Sequence, residues 1–233
     1  FTLGGNGPVY GSSTTGGFGA AWTQSVDDPS TPRWEVSAAY TSKGSKSTTK
    51  DSGLFGKDAA TALLTKVGYG SPKWATSVAV AFKEGGWEDQ YFATTAAYDR
   101  ASGSSETAIG LRGSWRPDET GVVPSIQVGY DTTSIDNNST AVKEANGWMV
   151  GLGWDDVVVD GNKAGVAFGS RVSVSEVGAG GTNSDGDPFS WEAYYSFKVN
   201  DNVSVTPVVF GNEDPGSKTN DNNGYAVLTN FRF

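Results

Sequence analysis

Apolar and polar residues alternate along most of this chain with a period of two. Trp34, Val36, Ala38 and Tyr40 alternate with Glu35, Ser37, Ala39 and Thr41, and Trp74, Thr76, Val78, Val80 and Phe82 alternate with Ala75, Ser77, Ala79, Ala81 and Lys83. Successive strand side chains point to opposite faces, so each run predicts a strand with one apolar, aromatic-ended face. The same pattern predicts strands over Gly17–Gln24, Ala60–Tyr69, Glu106–Arg116, Pro124–Thr132 and Gly147–Trp154. Four more follow: Ala164 to about Val172, Trp191–Lys198, Val203–Phe210 and Gly224–Phe233. Turn residues punctuate them, among them Gly70-Ser-Pro72, Asp160-Gly161 and Asn200-Asp-Asn202. No helical periodicity of any length competes, so the fold class predicted is all-β with up-and-down neighbours.

The last strand says most about what such a sheet does. Tyr225, Val227, Thr229, Phe231 and Phe233 share one face, while Ala226, Leu228, Asn230 and Arg232 share the other. About ten residues alternating in this way, with an aromatic end, suit a transmembrane barrel strand facing lipid on one side and a water-filled lumen on the other. Connection lengths test that reading, because periplasmic turns are short and external loops long. Placing Phe233 in the periplasm makes 212–223, 173–189 and 133–144 external and leaves 200–202, 155–162 and 117–122 as periplasmic turns. The alternation survives upstream only if 84–105 is one external loop. Gln90–Tyr98 is therefore not a membrane strand; it has Ala and Thr on both faces and no clean apolar side. About eleven strands result. Bacterial single-chain barrels close with an even number, so further N-terminal strands are expected to complete this one.

Composition removes other classes. The chain has no Cys and no His, which excludes a disulfide framework, a Cys/His zinc site, a Cys nucleophile and a Ser-His-Asp triad. A net charge of -9 argues against nucleic acid as a partner. Asn183-Ser-Asp-Gly-Asp187 resembles half a calcium loop but lacks the downstream Glu, and reads as an acidic surface loop, so no metal or cofactor is expected. No apolar run is long enough for a transmembrane helix.

Three segments resemble a known family. Gly113-Ser-Trp-Arg-Pro-Asp-Glu-Thr-Gly-Val-Val-Pro-Ser-Ile-Gln-Val-Gly-Tyr130 is similar to a hairpin of cyanobacterial outer-membrane porins of the carbohydrate-selective (OprB-type) family. Gly147–Gly169 and Asp187–Phe210 resemble its following hairpins, including the Val-Thr-Pro near the end of the latter. The closing strand is similar to those of bacterial outer-membrane proteins, where a terminal Phe aids recognition by the assembly machinery. The likeness is strong from about Ala108 to Phe233 and loose before it. It implies an outer-membrane location, contact with lipid and lipopolysaccharide, and a homotrimer. It also implies an S-layer homology domain and coiled coil, N-terminal to this segment, that hold peptidoglycan-linked polymer. The implied activity is passive diffusion of small hydrophilic solutes and ions, with a preference for carbohydrates or anions, and no enzymatic step.

If the aromatic face meets lipid, the pore-lining candidates are Glu35, Lys66, Lys83, Arg112, Arg116, Glu192, Lys198 and Arg232. Basic residues outnumber acidic ones there, which predicts a lumen favourable to anions. Each cation could instead pair with an inward carboxylate or sit at a rim. Arg112 and Arg116 are the strongest candidates, since a four-residue spacing keeps both on one strand face. The membrane-interface aromatics expected are Trp34, Trp74, Trp115, Trp148, Trp154, Trp191, Phe231 and Phe233. Trp87, Tyr91 and Phe92 could stack on sugars or narrow a pore, with loop packing slightly favoured. Two other classes remain: a barrel enzyme, for which no His base exists, and a soluble β-module that binds carbohydrate or is structural and buries its aromatic face.

Overall fold

The computed structural model describes residue 9 and residues 15–47, 53–56, 59–87, 103–136, 142–178, 188–213 and 221–232. These form one antiparallel sheet of eleven strands, each paired with its neighbours in sequence. The strands are β1 Gly16–Thr23, β2 Arg33–Ser42, β3 Thr61–Ser71, β4 Trp74–Glu84, β5 Ser105–Trp115 and β6 Ser125–Asp136. They continue as β7 Val142–Asp155, β8 Lys163–Val177, β9 Phe189–Lys198, β10 Val203–Asn212 and β11 Asn222–Phe231. A 3-10 turn at Lys43–Lys46 follows β2. No ladder joins β1 to β11 among them, so both remain edges.

The register carries the sequence parity intact across the sheet. Val36 stands opposite Val67, Val67 opposite Val78, Val78 opposite Leu111, Leu111 opposite Tyr130 and Tyr130 opposite Trp148. Each row therefore keeps apolar side chains on one face and the intervening residues on the other. The second face is concave. One cavity draws its lining from Arg33 on β2 through Met149 on β7, and another runs from Asp131 on β6 to Leu228 on β11. Met149 belongs to both, so the two cavities adjoin.

Three strands run further than their sequence suggests. Residues 133–144 read as a loop, yet β6 continues to Asp136 and β7 starts at Val142. β8 likewise continues past Val172 to Val177. These polar ends are held by the β6–β7 and β7–β8 ladders, where register shifts between Asn146 and Trp148 mark a bulge. Ile135, Val142, Ala145, Val172 and Val174 also bury one another there. Conversely, β5 stops at Trp115, so Arg116 lies past its end. Gln90–Tyr98, Tyr91, Phe92, the 183–187 loop and Phe233 lie outside the described residues.

Aromatic side chains gather on the convex face near the strand ends that meet the short turns. Trp34 and Tyr69 have ring centroids 4.6 Å apart, Tyr69 and Trp74 5.6 Å, and Tyr195 and Phe197 4.6 Å. Trp74 stands opposite Trp115 in the same row. On β2, β7, β9 and β11 the pairs Trp34/Tyr40, Trp148/Trp154, Trp191/Phe197 and Tyr225/Phe231 repeat one spacing, which is about 20 Å along a strand. Towards the other end, Tyr40 stacks on Phe55 at 5.5 Å with Phe18 beside both.

Candidate functional site

The concave face divides along its length. In the half nearer the short turns, Lys66, Ser77, Arg112 and Gln127 are half-buried or exposed and border a cavity of about 580 Å³. In the half nearer the longer connections, Ala79, Ala81, Ala108, Thr133, Ile135 and Ala145 are buried. Part of the cover there is Val9, which packs with Ala79, Ala81 and Ala108 and against the edge of Leu64. Gly110 makes room for it: a Cβ at that position would stand 3.2 Å from Val9 Cγ2. Trp87 is buried as well, with the Lys43 ammonium 5.2 Å from its ring centre. Gly85 and Gly86, at φ 69° and 73°, supply the left-handed turn that precedes it. For Trp87, the packing reading fits this burial.

Lys83 needs correcting as a water-facing residue. It points to the concave side, but only 2% of it is exposed, and its Nζ donates to Glu106 Oε1 at 3.1 Å. The Thr133 hydroxyl donates to the same oxygen at 2.7 Å. Register explains the cluster, because Lys83 stands directly opposite Glu106 across β4 and β5. Two charges removed from water together need this pairing and the extra hydrogen bond, since a lone buried ion is costly.

Arg112 does border the cavity, as expected, but it is not a free cation. Its Nη2 donates to both carboxylate oxygens of Asp131, at 3.0 and 2.8 Å. Nη1 donates to the Leu111 carbonyl at 2.8 Å. Two charged contacts from one nitrogen, with Nη1 held by a backbone carbonyl, fix the guanidinium more firmly than a single contact. Gly129 gives the side chain its path: a Cβ there would come 3.3 Å from Arg112 Cδ. Asp131 borders the second cavity, so this ion pair lies where the two spaces meet.

The remaining candidates spread out. Glu35 and Lys66 border the first cavity, with Glu35 4.0 Å from the neighbouring Arg33. Glu192 is buried on the wall of the second, a space of about 770 Å³ whose far side is apolar: Val208, Phe210, Ala226 and Leu228. Lys198 ends β9, where its Nζ meets Asp201 at 2.8 Å. The hydrogen bond and charge of Lys198 hold the Asp201 carboxyl below its usual range. Arg116 lies one residue past the end of β5, exposed, its amide bonded to the Lys73 carbonyl at 2.7 Å. Arg232 follows β11, exposed, with its amide bonded to the Asn202 carbonyl at 2.8 Å. Both belong to the rim.

Much of the expected inward positive charge is therefore paired off by carboxylates. Glu106, Asp131 and Asp155 are concave-side carboxylates, and they pair with Lys83, Arg112 and Lys163. No group of His, Cys, Asp and Glu among the described residues could hold a metal ion.

No protein-family profile matches the chain, and no solved structure does. Two curated cyanobacterial proteins are similar over parts of it. The uncharacterized protein sll0772 of Synechocystis sp. is 31% identical over 87 residues, 36% of this chain and 16% of that protein. The uncharacterized protein alr4550 of Nostoc sp. is 28% identical over 117 residues, 50% of this chain and 20% of its own length. The chain thus corresponds to a fifth or less of the relatives it matches.

Proposed function

We propose that this chain is part of the wall of an outer-membrane porin, through which small hydrophilic solutes and ions diffuse passively. One observation carries the reading. Every one of the eleven strands bears at least one exposed large apolar side chain on its convex face, from Phe18 on β1 to Phe231 on β11. A water-soluble monomer rarely exposes a contiguous apolar patch beyond a few hundred Å². A bilayer covers such a band, and strands with all backbone groups paired to neighbours can cross one. The aromatic pairs spaced ~20 Å along their strands suit girdles at the two borders of an apolar layer about 25 Å tall.

On this reading the concave face lines the water-filled channel. The edges of β1 and β11 pair with further strands of the whole protein, because an open edge in lipid leaves backbone groups unpaired. Expected partners are lipid, lipopolysaccharide and, in a homotrimer, two further copies. The whole protein is also expected to hold peptidoglycan-linked polymer through an N-terminal domain. The test is reconstitution of the full-length protein in planar bilayers. Stepwise conductance is expected, together with extraction from membranes only by detergent. Recovery as a folded monomer in detergent-free buffer overturns the proposal and returns a soluble β-module.

A further inference from the structure

We infer that Lys66 is the residue that sets the charge preference of the channel, favouring small inorganic anions such as chloride. The inference rests on the porin reading and names the selectivity residue within it. The cavity of about 580 Å³ is bordered by the cations Arg33, Lys66 and Arg112 and the carboxylate Glu35, with Asp131 at its edge through Arg112. Arg112 is neutralised by Asp131, whose two carboxylate oxygens both accept from Nη2. Arg33 stands 4.0 Å from Glu35. Lys66 alone among these cations has no carboxylate within ion-pair distance among the described residues.

Its position makes the charge effective. Lys66 stands in a row between Ser37 on β2 and Ala79 on β4, both small, and the Lys side chain is half-buried rather than covered. Glu35 is opposite Gly68, one diagonal step away, so it offsets the charge only in part. The adjoining cavity does not repeat the feature, since Asp131 and Glu192 stand there against Arg171. A fixed positive charge in a confined aqueous space concentrates anions and repels cations over about a Debye length. Pairs such as Lys83–Glu106 and Arg112–Asp131 act only as short-range dipoles.

The experiment is reversal potential across a potassium chloride gradient, with the full-length protein in planar bilayers. Chloride is expected to permeate faster than potassium. Lys66→Gln is expected to lower the chloride-to-potassium ratio about fivefold, and Lys66→Glu to invert it. Lys73→Gln, on the exposed Lys73–Asp118 pair of a turn, is expected to leave the ratio unchanged. An unchanged ratio in a conducting Lys66→Gln channel overturns the inference and leaves the porin reading intact. If that variant does not insert, the wild-type channel still decides. Raising the salt from 0.1 M to 1 M shortens the Debye length from about 10 Å to about 3 Å and should weaken the preference. A preference for potassium, or one for chloride that salt does not weaken, overturns the inference. Absence of any conductance overturns the porin reading and this inference together.

Discussion

Lys83 and Lys66 occupy equivalent positions in the alternation, both on the concave face of neighbouring strands, and their surroundings have opposite consequences. Lys83 lies in the covered half, 2% exposed, tied to Glu106 and through it to Thr133. Lys66 lies at the edge of the uncovered half, opposite the covered Ala79 but beside a cavity, half-buried and with no ion pair among the described residues. Period-two alternation specifies which face a residue joins; it carries no information about what lies over that face. The covered half behaves as a protein core with one buried polar cluster. The uncovered half behaves as a solvated wall, where charge can act on solutes.

The largest expected effect breaks the covered half. Glu106→Ala removes the carboxylate to which the buried Lys83 ammonium donates and should destabilise the folded protein by about 3–5 kcal/mol. Urea unfolding in detergent micelles, followed by tryptophan fluorescence, measures it. A loss below that of a surface substitution would mean that water reaches Lys83, and the contrast between the halves would disappear. Next is Ala108→Leu, which forces extra volume against Val9 and Ala79 and should cost about 1–3 kcal/mol in the same assay. A neutral result would show that Val9 is not a fixed cover. At the boundary, Arg112→Gln removes the charged hydrogen bonds that Nη2 donates to Asp131. The side chains are 21% and 11% exposed, and charged hydrogen bonds of this kind contribute about 1.5–3 kcal/mol, with the lower end expected here.

Strand existence and facing were legible in the sequence because Trp34, Trp74, Trp115, Trp148 and Trp191 fall on one parity, and register slips would turn whole strands over. The number of strands followed from that parity combined with connection lengths. The ends of β6, β7 and β8 were not legible. Ser134 and Ser173 carry turn-like composition, and only the cross-strand ladders hold them extended. The charge balance failed for a related reason. Lys83 and Arg112 stand out in a single strand, but Glu106 and Asp131 become their partners only through pairing between strands. Extending β5 back to Ser105 and aligning it with β4 from their ends would have placed Glu106 opposite Lys83. Val9 and Trp87 left no such signal, since a segment that folds over a face has no period.

The smallest expected effect on stability is the sharpest probe of the comparison. Lys66→Gln removes the same charge from the same face as a change at Lys83 would, yet it breaks no ion pair and opens no cavity. Its unfolding midpoint should stay within about 0.5 kcal/mol of the parent, as for a solvated surface position. Lys83→Gln, by contrast, leaves Glu106 without its ammonium partner and should fall in the range of Glu106→Ala. Measured side by side, the two substitutions share their chemistry and differ in cover and in the ion pair formed beneath it, so the gap between them reports cover and pairing together. Equal losses would place Lys66 inside a packed region, and its charge could then not act on a passing ion.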